Sequence, residues 1–108
     1  MQFIATSAFL AKWAAAPDMT VLDVRSKEEV QALRLAGAVH YLPLDCVEAT
    51  PVQAMRKKPG EPLYIMCRTS NRSRMAAQIL ESQGVKDLVV VEGGIEACRA
   101  LGTPMVQG

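Results

Sequence analysis

The stretch Leu63-Tyr64-Ile65-Met66-Cys67-Arg68-Thr69-Ser70-Asn71-Arg72-Ser73 decides how the rest of the chain is read. Its first four residues are an apolar run behind Pro62, the signature of a short buried strand. After Ser73 the period changes. Met75, Ala76, Ile79 and Leu80 share one face of a predicted helix over 74–81. A strand that ends on a cysteine and turns at once into a helix has a chemical consequence. Backbone N–H groups of the turn and of the first helical turn converge on one spot, and the helix dipole adds partial positive charge there. Arg68 and Arg72 flank that spot. Electropositive surroundings favour thiolate over thiol, so Cys67 is expected to be a reactive nucleophile beside a cradle for a small anion. A merely buried, apolar cysteine would not account for the polar residues Thr69, Ser70 and Asn71 or for the two arginines.

Working outward, residues 1–16 read as a short amphipathic helix with Ser7 as N-cap and Pro17 closing it. A secretion leader is disfavoured, because the start is not basic and Lys12 interrupts the apolar run. Thr20–Val24 is a β-branched run suited to a central strand. Ser26-Lys27-Glu28-Glu29 is a capping box opening a helix to about Leu35, which Gly37 ends. Val39–Leu42 reads as a strand stopped by Pro43, Thr50-Pro51 as the start of a helix over 51–57, and Pro59-Gly60 as a turn. Gly84 closes the helix behind the cysteine loop. Leu88–Val91 is a further buried strand, and Ile95–Leu101 a last short helix after the Gly93-Gly94 turn.

Strands alternate with helices, and the strand runs are almost continuously apolar. The predicted class is therefore α/β: one domain over 1–108, with a mainly parallel sheet of about four to five strands and helices on both faces. Ligands in such sheets bind beyond the carboxyl ends of the strands, where Cys67 falls.

The chain has 108 residues, 50% of them hydrophobic, and a formal net charge of +1, so no global field draws it to nucleic acid or a membrane surface. Its three cysteines, odd in number and widely spaced, do not suggest a disulfide framework. The absence of Cys-x-x-Cys and a single histidine argue against a metal site, and no cofactor is expected. No stretch approaches the length of a membrane span. A reducing, cytoplasmic setting suits a chain that must keep Cys67 free.

Cys67-x-x-x-x-Arg72-Ser73 after a strand resembles the active-site loop of the rhodanese family of sulfurtransferases. Val21-Leu22-Asp23-Val24-Arg25, Ala36-Gly37-Ala38-Val39-His40-Tyr41-Leu42-Pro43 and Glu92-Gly93-Gly94-Ile95 resemble the family's other blocks, in the same order and spacing. The resemblance implies a three-layer rhodanese-like fold and a sulfurtransferase. Cys67 would attack the outer sulfur of a donor such as thiosulfate, keep it as a persulfide, and pass it to cyanide, a thiol or a protein acceptor. Residues Arg68, Thr69, Ser70, Asn71, Arg72 and Ser73 would bind substrate. Their N–H groups would hold the terminal sulfur, and Arg68 and Arg72 would orient an anionic donor. A non-catalytic persulfide carrier or binding module is the alternative. Phosphatase or arsenate reductase chemistry is the lesser reading. The phosphatases of this fold use Cys-x5-Arg, whereas the arginines here stand at Cys-x4-Arg and Cys-x6-Arg, with Ser73 between.

Asp23 reads as structural, and Arg25 as a possible contributor to the pocket's potential. Cys98 stands where the family usually carries a tryptophan. It and Cys46 are read as small apolar residues in preference to resolving thiols, and His40 as a residue of the core or its edge. Trp13 and the methionines are expected in the core.

Overall fold

The computed structural model describes residues 1–58 and 60–108. The expected turn at Pro59-Gly60 therefore falls partly outside the described residues. The main sheet has five strands, all parallel, in the order β1 (Gln2–Ala5), β6 (Leu88–Glu92), β5 (Leu63–Met66), β2 (Thr20–Asp23) and β4 (His40–Tyr41). A short antiparallel pair, β3 (Leu33–Leu35) with β7 (Met105–Gln107), lies apart from it. The helices are α1 (Thr6–Ala15), α2 (Lys27–Ala32), α3 (Ala49–Met55), α4 (Asn71–Ser82) and α5 (Gly94–Ala100). Among the described residues, no helix is long and apolar enough to cross a membrane.

Alternation along the central strands sorts side chains into two cores. Leu63, Ile65 and Cys67 face the layer that holds Val52 of α3 and Ala76, Ala77 and Leu80 of α4. Tyr64 and Met66 face the opposite layer, with Phe9 and Trp13 of α1 and Ile95 and Cys98 of α5. Because both faces are covered, all four residues of β2 and all four of β5 are buried, which explains the apolar run Leu63–Met66 and the apolar centre Val21-Leu22 of β2. Full burial of each Leu, Ile or Val in these cores contributes about 1.5–3 kcal/mol.

The connections position the site. From β2 the chain crosses to β4 on one side. From β5 it crosses through α4 to β6 on the other. The carboxyl ends of β2 and β5 therefore form the topological switch point of the sheet, where a crevice opens because successive connections diverge. Cys67 follows β5 at that point, and Val24 N–H bonds to the Met66 carbonyl at 2.9 Å to close the two strands together.

Several expected boundaries shift, each for a tertiary reason. Residues 2–5 form β1, an edge strand paired with β6, and helix α1 starts at Thr6, not after Ser7. Its N-cap is Ala5 without a side-chain bond, and the Thr6 hydroxyl donates to the Glu92 carbonyl instead. Helix α2 stops at Ala32, short of Leu35, because residues 33–35 pair with β7 and bury Leu35. Helix α3 begins at Ala49 with Glu48 as N-cap, so Thr50 lies inside it. On α4 the face turned to the sheet carries Ala76, Ala77 and Leu80, while Met75 is 50% exposed. Residues 44–46 form a short 3-10 turn that periodicity did not signal.

Candidate active site

Strand β5 delivers Cys67 to the start of a tight loop, and the thiol is almost wholly buried, at 1% exposure. Its S–H donates to Ser73 Oγ at 3.4 Å, and that hydroxyl donates onward to the Ser70 carbonyl at 3.0 Å. Helix α4 makes its first backbone bond from Arg74 N–H to the Ser70 carbonyl. Ser70, the N-cap, offers no side-chain acceptor. Among the described residues, no backbone N–H from Arg68 to Ser73 finds an acceptor in the protein. A helix start that leaves its donors open is disposed to take an anion.

The orientation of the loop is fixed from outside by α5. Ile95 N–H bonds to the Cys67 carbonyl at 2.9 Å, and Glu96 N–H to the Arg68 carbonyl at 3.0 Å. In a planar trans peptide the carbonyl and the next N–H point in opposite directions. Anchoring these two carbonyls on α5 therefore turns the N–H groups of Arg68 and Thr69 away from it, toward the inside of the loop. Gly94 makes the close approach possible. It sits at φ +56°, and a Cβ there would fall within 3.0 Å of the carbonyl oxygens of Cys67, Arg68 and Thr69. The Gly93-Gly94 pair was legible in the sequence as a turn; its role as a support for the loop was not.

The arginines differ sharply. Arg72 forms a two-pronged ion pair with Glu29, at 2.5 and 2.8 Å. Glu29 is at once the N3 residue of the capping box: Ser26 N–H donates to its carboxylate at 3.1 Å, and Glu29 N–H donates to Ser26 Oγ at 3.3 Å. Its hydrogen bonds with Arg72, and then those with Ser26, outweigh partial burial and hold the Glu29 carboxyl down at about 2. The Arg72 guanidinium is correspondingly raised, first by its hydrogen bonds to Glu29, with weaker Coulombic support from Cys67 and Asp23. Arg74 is drawn over the ring of Phe3, 5.8 Å from its centroid. The Arg68 side chain is exposed and, among the described residues, makes neither an ion pair nor a hydrogen bond. Of the two arginines expected to flank the thiol, Arg72 is thus held in an ion pair by Glu29, and the Arg68 side chain has no such partner among the described residues.

Asp23 is structural, as expected. Its two oxygens accept from Arg25 Nε, NH2 and backbone N–H at 2.9–3.1 Å in a buried pair. Arg25 also donates to the Leu33 carbonyl at 2.7 Å, so it ties the end of α2 to β2 and does not lend its charge to the loop. Thr69 and Asn71 are exposed, and Ser70 is half-buried.

Cys98 is fully buried in the α1–α5 core, across the sheet from the core that includes Cys67, and burial pushes its thiol up to about 11. It is the small apolar residue that was expected. Cys46 is exposed, contrary to its reading as a core residue, because the 3-10 turn carries it to the surface. His40 lies on edge strand β4, exposed.

The rhodanese-like domain family model matches residues 6–101. The chain belongs to the rhodanese-like domain family. Among curated relatives, it is 34% identical over 92 residues to Bacillus subtilis YrkF, whose name marks it as a candidate sulfur carrier; the match covers 85% of this chain and 48% of that protein. It is 30% identical over 83 residues to the adenylyltransferase and sulfurtransferase UBA4 of Meyerozyma guilliermondii, covering 72% of this chain and 19% of that one. The rhodanese-like domain thus spans about half, or less, of these longer relatives. The crystal structure of a rhodanese-like domain protein from Staphylococcus aureus superposes with a TM-score of 0.72 at 29% identity, over 90% of each chain. The rhodanese-like α/β architecture expected from the loop and its neighbouring blocks is therefore the one observed.

Proposed function

We propose that this chain transfers sulfane sulfur through a persulfide on Cys67. The observation that carries the reading is the open run of N–H donors from Arg68 to Ser73, wrapped around a thiol at the sheet's switch point. Family membership and the names of the relatives support sulfur transfer at the level of the family.

In the first half-reaction the Cys67 thiolate attacks the outer sulfur of a donor such as thiosulfate. A new S–S bond forms, the donor's S–S bond breaks, and sulfite leaves with the electron pair. The terminal sulfur of the persulfide carries the negative charge, which the loop N–H groups stabilise. In the second, a nucleophile such as cyanide or a thiolate takes that sulfur and the Cys67 thiolate departs. There is no net redox change, and the route needs no metal. A protein donor or acceptor fits the same steps, and a reducing compartment such as the cytosol suits a thiol that must cycle.

Steady-state formation of thiocyanate from thiosulfate and cyanide tests this reading. Parallel double-reciprocal lines, the mark of a ping-pong route, are expected, with activity abolished in Cys67→Ala. Activity that survives in Cys67→Ala would overturn the role of this cysteine. A carrier reading is favoured by the name of the Bacillus relative. It predicts that Cys67 accepts sulfur from a persulfide donor while thiosulfate gives no turnover.

A further inference from the structure

Glu29 belongs to no block of sequence that marks the loop, yet its carboxylate holds the guanidinium of Arg72, one of the loop's cations. Three arginines surround Cys67 in sequence. Arg74 is engaged over Phe3, and Arg72 is neutralised by Glu29. The nearby Asp23–Arg25 pair also sums to zero. The unpaired guanidinium charge nearest the thiol in sequence is therefore that of Arg68, with Arg74 still charged but drawn aside over Phe3, added to the partial charge of the α4 dipole. We propose, resting on the sulfur-transfer reading above, that Glu29 is a specificity-determining residue. By holding Arg72 in a two-pronged pair it sets the site for singly charged organic sulfur donors over the thiosulfate dianion.

The discrimination is Coulombic. A thiolate and a thiosulfate together bring three negative charges to a loop whose Arg72 is already paired with a carboxylate, and a thiolate and a monoanionic donor bring two. Repulsion and attraction both scale with donor charge, so a change of one unit at the loop acts on the free energy of a dianion about twice as strongly as on that of a monoanion. The pair is less than a third exposed at either end, so solvent screens it only in part. Glu29 also orients Arg72 by linking α2 to the first turn of α4. In this role it acts through Arg72 as a positioning residue.

Methanethiosulfonate isolates the charge. It carries the same transferable sulfur as thiosulfate, with a methyl group in place of one charged oxygen. The Cys67 thiolate takes its outer sulfur, and methanesulfinate leaves with the electron pair. Glu29→Gln removes the carboxylate charge while retaining an N3 side chain able to complete the capping box. With cyanide as acceptor, Glu29→Gln is expected to lower KM about tenfold for thiosulfate and about threefold for methanethiosulfonate, with kcat nearly unchanged. Arg72→Gln, which leaves Glu29 unpaired, is expected to act in the opposite direction and again more strongly on thiosulfate. Both responses should shrink with added salt.

Equal shifts for the two donors, no shift, or an effect confined to kcat would overturn this role for Glu29 and leave sulfur transfer standing. Thiocyanate from neither donor with the unaltered protein would instead bring down the sulfur-transfer reading, and this inference with it.

Discussion

Two arginine–carboxylate pairs brace the same corner of the molecule and do different work. Asp23–Arg25, at the end of β2, has side chains 2% and 3% exposed, whereas Glu29–Arg72, between α2 and α4, has side chains 30% and 31% exposed. The first is surrounded by backbone: Arg25 also binds the Leu33 carbonyl, and Asp23 also accepts from the Arg25 N–H. The second has a capping box on one side and the cysteine loop on the other. The contrast teaches that position, more than chemistry, assigns the role. A sealed pair is a staple, while a partly wet pair beside a loop of open donors sets the charge available to a ligand.

The largest expected effect comes from breaking the staple. Asp23→Ala leaves a buried guanidinium without its partner and should cost about 3–5 kcal/mol, read from the midpoint of denaturant unfolding. A loss below about 1 kcal/mol would place Asp23–Arg25 in the same class as the exposed pair.

Next in size is Gly94→Ala. It forces a side chain into the left-handed region and against three loop carbonyls, at a cost of about 1–3 kcal/mol from the backbone alone. Because α5 orients the loop, sulfur transfer should fall by more than stability predicts. Full activity in a folded Gly94→Ala protein would show that the α5 anchor does not aim the loop.

A smaller change in stability is expected for Glu29→Gln, about 1 kcal/mol, well below what its lowered carboxyl would contribute without screening, because solvent reaches the partly exposed pair. Its pH dependence sharpens the contrast. The Glu29 carboxyl is lowered from 4.5 to about 2 in the folded chain. Its contribution is thus fully present above about 4.5 and is lost as pH falls through about 2. Acid unfolding of Glu29→Gln should lack that part of the slope, measured by circular dichroism between those limits.

The smallest effect concerns thiols away from the site. A thiolate-directed alkylating reagent at mildly alkaline pH should modify exposed Cys46 and spare Cys98 until the protein unfolds. Labelling of native Cys98, followed by peptide mass mapping, would contradict its place in the sealed core.

Much of this was legible in the sequence where local pattern and tertiary demand agree. β5 was bounded by its apolar run and Pro62, and the Ser26–Glu29 capping box forms as read. Cys67 and Ser73 lie together because strand, loop and helix are contiguous. What escaped was set by distant partners. β1 exists because β6 offers it an edge, and β3 because β7 returns to it from the end of the chain. Glu29 was visible only as a capping residue, since its meeting with Arg72 spans 43 positions. Gly94 was visible only as a turn, since nothing local announced the three carbonyls packed against it. The exposed Met75 shows the same limit: helical periodicity fixed the axis of α4 and missed the sheet-facing stripe by a residue.

The most direct measurement is the intact mass of the protein after brief exposure to thiosulfate or methanethiosulfonate, beside Cys67→Ala treated identically. A gain of one sulfur atom is expected in the unaltered protein, released by cyanide as thiocyanate and absent from the variant. No sulfur gained from either donor, or an equal gain in Cys67→Ala, would contradict a persulfide on Cys67.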